Sequence, residues 1–132
     1  MAGFMMSALL VTACGNNPTA TNDGTQQEAP AVQDIKQAEA MPMLNDTNVI
    51  VIDVRTPGEV QAGYITGADL FIDINGDFQA GIANLDKSKT YLVYCKSGGR
   101  SGRAAKIMES AGFTSIYNLS GGISAWSGPV SQ

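Results

Sequence analysis

Tyr91-Leu92-Val93-Tyr94-Cys95-Lys96-Ser97-Gly98-Gly99-Arg100-Ser101 is the stretch on which the reading of this chain turns. Its first four residues form an apolar run, as expected for a strand buried on both faces, and the residues after 101 follow helical spacing. Between strand end and helix start stand a cysteine, two glycines and two cations. Open α/β sheets bind ligands at such turns, where backbone N–H groups converge on an anion. Cys95 is therefore a candidate nucleophile, although a buried cysteine is more often inert packing.

Strands and helices alternate on both sides of this stretch. Val32–Ile35 reads as a short edge strand, and residues 36–44 as a helix weakened at Pro42. Val49-Ile50-Val51-Ile52-Asp53-Val54 is a β-branched run suited to a central strand. Thr56-Pro57-Gly58-Glu59 has the pattern of a helix start, with Thr56 as N-cap, Pro57 at the first position and Glu59 three residues after the cap. Residues 70–74 suggest a strand and 78–85 a short helix. Ala104, Ile107, Met108 and Ala111 recur at helical spacing, and Gly112 is a natural stop. Residues 115–119 read as the last strand. Gly121-Gly122 then opens a final turn with Ile123 and Trp126, the tryptophan being expected in the core. The alternation argues for an α/β domain with a parallel sheet covered on both faces.

The N-terminal part has a different composition. Residues 1–13 are almost all apolar or small and end in Val11-Thr12-Ala13, followed by Cys14. This resembles the signal peptide and lipobox of a bacterial lipoprotein, whose cysteine is lipidated and becomes the mature N-terminus. No Lys or Arg precedes the apolar run. The run is too short to span a bilayer, which needs ~20 helical residues. Residues 15–32 are rich in Asn, Thr, Pro, Ala and Gln without hydrophobic period, and read as a tether whose ends lie roughly 20–25 Å apart. The expected organisation is a signal peptide at 1–13, lipidated Cys14 and tether at 14–31, and a folded domain at 32–132. Lipidation implies an extracytoplasmic protein, in the periplasm or cell envelope, anchored to membrane, with Cys95 as its free thiol.

Net charge is −4, but residues 96–132 carry Lys96, Arg100, Arg103 and Lys106 against Glu109, four minus one, or +3. A solvated helix face accounts for Arg103 and Lys106. Lys96 and Arg100 lie within the loop, where they would favour thiolate and attract small anions. The basic patch is too small for a nucleic-acid partner.

Four segments, in order, are similar to a single-domain rhodanese. They are Val51-Ile52-Asp53-Val54-Arg55-Thr56-Pro57-Gly58-Glu59, then Gly63-Tyr64-Ile65-Thr66-Gly67-Ala68, then residues 91–101, then Gly121-Gly122-Ile123-Ser124-Ala125-Trp126. The resemblance is to the small exported rhodaneses of the phage-shock type. It implies a three-layer fold with a mostly parallel sheet of about five strands. It also implies sulfur transfer from thiosulfate or a similar donor to cyanide or a thiol through a Cys95 persulfide. Lys96, Ser97, Gly98, Gly99, Arg100 and Ser101 would form the substrate loop, with Asp53, Arg55 and Glu59 as structural support. The resemblance implies no cofactor or metal, and a monomer whose partners are a small anionic donor and a thiophilic acceptor. Tyr64 departs from the family's usual His, and the chain has no His at all. Tyrosine does not titrate near neutral pH, so the departure bears on packing more than on activity.

The residue types suit that chemistry. Gly98 and Gly99 permit positive φ and close approach to the sulfur. Arg100 can take a sulfonate in a two-pronged grip. Ser101 is an N-cap candidate that can also hydrogen-bond the loop. Arg55 is expected to pair with Glu59, in competition with the capping role, while Asp53 braces neighbouring backbone. Cysteine-dependent phosphatases and arsenate reductases share a Cys-to-Arg loop, but with five intervening residues; here there are four, a tighter ring better suited to one protruding sulfur. A non-catalytic binding module of the same family is the other alternative, and such modules often lose the cysteine. Mercaptopyruvate is a less expected donor, because that subgroup's loop usually lacks the basic residues.

Overall fold

The computed structural model describes residues 30–132. The expected signal peptide, Cys14 and nearly all of the tether lie outside the described residues. Five strands build one sheet: β1 (Val32–Ile35), β2 (Val49–Asp53), β4 (Leu70–Phe71), β5 (Thr90–Tyr94) and β6 (Ile116–Leu119), in the order β1-β6-β5-β2-β4. Every pairing within it is parallel. A second, antiparallel sheet of two short strands joins β3 (Tyr64–Ile65) to β7 (Val130–Ser131).

The apolar run at 91–94 is the central strand, and its side chains divide between two cores. Tyr91, Val93 and Cys95 join Ile52, Val54, Phe113 and Ile116 on one face, while Leu92 and Tyr94 join Val51, Ile65 and Leu119 on the other. This is the period of two that a strand imposes. Helix α3 (Phe78–Ile82) and helix α4 (Gly99–Ser110) cover the first face through Phe78, Ile82, Ala104, Ala105 and Met108. Helix α1 (Gln37–Ala40), the 3-10 turn Met41–Asn45 and half-buried Trp126 cover the second. Each large side chain fully buried in these layers contributes roughly 1.5–3 kcal/mol. Tyr91 also meets Phe113 edge to face, with ring centroids 5.2 Å apart.

Several boundaries differ from the sequence reading, each for a local reason. The helix expected at 36–44 splits, because Pro42 has no N–H to continue the α pattern and the chain tightens into the 3-10 turn. The strand expected at 70–74 stops at Phe71, where Asp73 folds the chain back by accepting the N–H of Asn75 on its carboxylate and that of Gly76 on its carbonyl. The helix expected at 78–85 ends at Ile82, and the last strand starts at Ile116. Strands β3 and β7, two residues each, are too short to leave a pattern in the sequence. Gly112 ends α4 as expected, with φ 104°.

Because the strands are parallel, the segments that follow β2, β5 and β6 emerge at one edge of the sheet. Helix α2 (Pro57–Gln61), the cysteine loop and the Gly121-Gly122 turn meet there.

Candidate active site

Cys95 follows β5 directly and is 1% exposed. The chain then turns through Gly98, whose φ of 103° and ψ of −13° make it the N-cap of α4. This left-handed geometry suits glycine, and it brings the Gly98 N–H to 3.0 Å from the Cys95 Sγ. Gly99 is already helical and has open space around its α-carbon. The expectation of positive φ therefore holds at Gly98 and not at Gly99.

The amides face the sulfur because the loop's carbonyls are engaged on the outside. The Cys95 carbonyl accepts the N–H of Ile123 at 3.0 Å, and that of Lys96 accepts the N–H of Ser124 at 2.9 Å. Gly122 makes this possible: a β-carbon there would overlap the carbonyls of Cys95 and Lys96. The segment 121–126 thus clamps the cysteine loop, a role its sequence did not disclose.

Burial pushes the Cys95 thiol up. Hydrogen bonds from the Ser101 side chain and from the backbone of Ser101, Gly98 and Ser97 outweigh it, so the pKa lies below that of an ordinary cysteine. Hydrogen bonding to the charged form is the governing cause. The expected effect of Lys96 and Arg100 is secondary: Lys96 is exposed at the rim, and Arg100 already has a counter-ion.

Ser101 does not cap α4. The helix starts a turn earlier, at Gly98, which leaves Ser101 buried inside it with its Oγ 3.5 Å from the Cys95 sulfur. The same hydroxyl reaches Asn118 Oδ1 in β6. Asn118 and Asp34, its neighbour on β1, were not singled out from sequence. An amide inside the apolar strand Ile116–Leu119 is the signal that could have found the first, since buried polar groups need partners.

Two carboxylate–guanidinium pairs flank the loop, and neither is the one expected. Arg55 does not meet Glu59; it folds back on Asp53, with Nη2 2.7 Å and Nε 3.1 Å from Oδ2. Arg55 Nη2 also donates to the Gly63 carbonyl at 2.7 Å, tying β2 to the turn before β3. Glu59 instead receives Arg100, Nη1 on Oε2 and Nη2 on Oε1, both at 2.8 Å. Glu59 keeps its capping role as well: its N–H donates to Thr56 Oγ1 at 3.3 Å, and its carboxylate accepts from Thr56. A carboxylate has lone pairs enough for both. The fork that was expected to hold a sulfonate is thus occupied by a side chain of the same molecule. Arg100, foremost, and Thr56 hold the Glu59 carboxyl down to about 2, against the opposing effect of burial.

Behind the loop, Tyr94 lies on the opposite face and accepts the Ile65 N–H at 3.0 Å through its phenol oxygen. Burial, foremost, together with Asp53, keeps that phenol neutral. Tyr64 packs edge-on against Phe71 at 5.0 Å. Among the described residues no cluster of metal-ligating side chains occurs, and no helix is long and apolar enough to cross a membrane.

This arrangement is similar to known proteins. The family described as rhodanese-like domain matches residues 36–129. A sulfurtransferase of Allochromatium vinosum is 32% identical over 96 residues, covering 72% of this chain and 88% of that protein. Thiosulfate sulfurtransferase GlpE of Pseudoalteromonas translucida is 28% identical over 106 residues, covering 77% of this chain and 95% of that one. Among solved structures, a rhodanese-like domain protein from Staphylococcus aureus superposes with a TM-score of 0.64 at 29% identity, covering 73% of this chain and 92% of that one. The chain spans only 36% and 19% of the length of the first curated relatives it matches.

Proposed function

The chain belongs to the rhodanese-like family, and on that premise we propose that it is a sulfurtransferase that carries sulfane sulfur on Cys95. The observation that carries the reading is the sulfur itself, a thiol of lowered pKa held 3.0 Å from an inward-facing amide on a loop of four residues between Cys95 and Arg100. The thiolate attacks the outer sulfur of thiosulfate. The bond between the two thiosulfate sulfurs breaks, sulfite leaves with the electron pair, and Cys95 holds a persulfide. Cyanide or a thiolate then attacks that outer sulfur, and Cys95 leaves as thiolate. One difficult transfer becomes two covalent steps. Neither step requires a general base, in keeping with a chain that lacks histidine.

The loop amides that stabilise the thiolate are placed to stabilise the terminal sulfur of the persulfide in the same way. Arg100 reaches the donor's sulfonate by exchanging one oxyanion for another, releasing Glu59 from its fork. Lys96, exposed at the rim and in no ion pair among the described residues, supplies further positive charge. The four-residue spacing and the relatives named as sulfurtransferases favour this reading over phosphate-ester chemistry. The test is thiocyanate formation from thiosulfate and cyanide. Wild type is expected to turn over and Cys95→Ala to be inactive; equal rates in the two proteins would reject the assignment.

We also propose that Cys14 is lipidated and that the domain works outside the cytoplasm. The support is the sequence of residues 1–14 and the tether that follows. A diacylglyceryl group provides the two acyl chains that stable anchoring needs. Fractionation of cells expressing wild type and Cys14→Ser should move the protein from membrane to soluble fraction. The same cytoplasmic distribution for both would reject anchoring and leave the sulfur chemistry untouched.

A further inference from the structure

Asn118, in the middle of β6, is 6% exposed, and its amide meets three groups. Its Nδ2 donates to Asp34 Oδ1 at 2.9 Å and to the Gly98 carbonyl at 3.3 Å, while its Oδ1 faces the Ser101 hydroxyl at 2.5 Å. Turning the amide over would set its oxygen against two acceptors, so the chemistry of its neighbours fixes the orientation. Oδ1 is then the acceptor of the Ser101 proton. A serine hydroxyl has one proton, and the Ser101 oxygen also lies 3.5 Å from the Cys95 sulfur. One donor therefore stands between two acceptors.

We propose that Asn118 is a positioning residue for Cys95, competing with the sulfur for the hydroxyl proton of Ser101 and so setting how readily the thiolate forms. This rests on the reading of Cys95 as the nucleophile. With the thiol protonated, Ser101 gives its proton to Asn118 and turns a lone pair to the S–H. When the thiol ionises, the hydroxyl swings to the sulfur, and a buried amide oxygen is left without its donor. Ionisation is thereby made harder than Ser101 alone would make it. A sulfur that must attack a donor benefits, because thiolate nucleophilicity falls as the thiol pKa falls. Asn118 is also joined to the loop through the Gly98 carbonyl, so it holds the amide that faces the sulfur and the serine that faces the sulfur in one network.

The charged groups on the elements around this loop are Lys96 on the loop and Arg100, Arg103 and Lys106 on α4. Glu109 stands at the far end of α4, Glu59 on α2, the Asp53–Arg55 pair at the end of β2 and Asp34 on β1. Strand β5 adds the titratable Tyr91 and Tyr94, and β6 adds Tyr117. Of these side chains, Asp34 is the one hydrogen-bonded to Asn118.

The test is the pH dependence of iodoacetamide alkylation in the full chain, read at the Cys95 peptide by mass spectrometry. Asn118→Leu removes the competing acceptor. It should move the midpoint down and raise the thiolate fraction at a fixed pH below it by roughly 2- to 10-fold, the equilibrium worth of one hydrogen bond. Ser101→Ala should move the midpoint up, and in that background Asn118→Leu should have no further effect. A raised midpoint in Asn118→Leu, or the same shift with and without Ser101, would overturn the proposal. Should Asn118→Leu fail to fold, Asp34→Ala at the exposed end of the network loosens the amide orientation. It should shift the midpoint in the same direction by less, and the shift should be larger with Ser101 present than in Ser101→Ala, where only the lost carboxylate charge acts. No shift, or the same shift with and without Ser101, overturns it. Alkylation needs no sulfur donor, so its outcome is separate from thiocyanate formation.

Discussion

The two carboxylate–arginine pairs of this domain are chemically alike and differently placed. Asp53 and Arg55 are 0% and 6% exposed, two residues apart, and the guanidinium is further held by the Gly63 carbonyl. Glu59 and Arg100 are 31% and 25% exposed, 41 residues apart, and join α2 to the first turn of α4. In the first pair each ion depends on the other, because water cannot replace a lost partner. In the second, water reaches both ions and the fork can change partners at little cost. The buried pair fixes the frame on which the site stands. The half-exposed pair is the one that water reaches and, under the proposed function, the one the donor's sulfonate opens.

The largest expected effect is on stability and should separate the two. Asp53→Ala leaves a buried guanidinium unpaired and is expected to cost about 3–5 kcal/mol in urea unfolding. Glu59→Ala loses a half-exposed ion pair and a capping contact, about 1–2 kcal/mol together. Similar losses in the two variants would break the distinction.

The next effect is on turnover. Arg100→Lys keeps the charge and loses the planar fork, so kcat/KM for thiosulfate should fall by roughly 1.5–3 kcal/mol with the unfolding midpoint little changed. Unaltered kcat/KM would mean that charge alone matters at this position. Glu59→Gln sharpens the same point in the opposite direction. It removes the internal competitor for Arg100 and should lower KM for thiosulfate several-fold while Cys95 alkylation stays near wild type. A raised KM would show that Glu59 holds Arg100 ready for the donor instead of withholding it.

The smallest effect is on pH dependence. The Glu59 carboxyl is lowered from its ordinary 4.5 to about 2. A depressed carboxyl contributes stability that is fully present above the unfolded value and is lost as pH falls through the folded one. The stability difference between wild type and Glu59→Gln should therefore shrink between pH 4.5 and 2. Solvent screening keeps that contribution below about 1 kcal/mol. A difference that grows toward acid would contradict the assignment of Arg100 as the partner of Glu59.

The contrast also shows what the sequence could and could not disclose. The apolar runs at 49–54 and 91–94, the Thr56 cap and the Gly112 stop are local signals, and the α/β sheet is legible from them. Partner choice is not local. Arg55 lies four residues from Glu59, a spacing at which side chains meet along a helix, but Arg55 precedes the first helical residue, Pro57, and turns back to its own strand. Arg100 is distant in sequence, and only the parallel sheet brings it to α2. Ser101 looked like a cap because caps are commonly serine, whereas a left-handed glycine three residues earlier starts the helix. The clamp by Gly122 was invisible for a related reason: its cause is the backbone of another segment.

The central claim is that Cys95 holds the transferred sulfur. Intact-mass spectrometry of the reduced protein after thiosulfate treatment tests it most directly. The account predicts a gain of one sulfur atom in wild type, lost on adding cyanide as thiocyanate appears, and no gain in Cys95→Ser. An unchanged wild-type mass, or the same gain in Cys95→Ser, would contradict it.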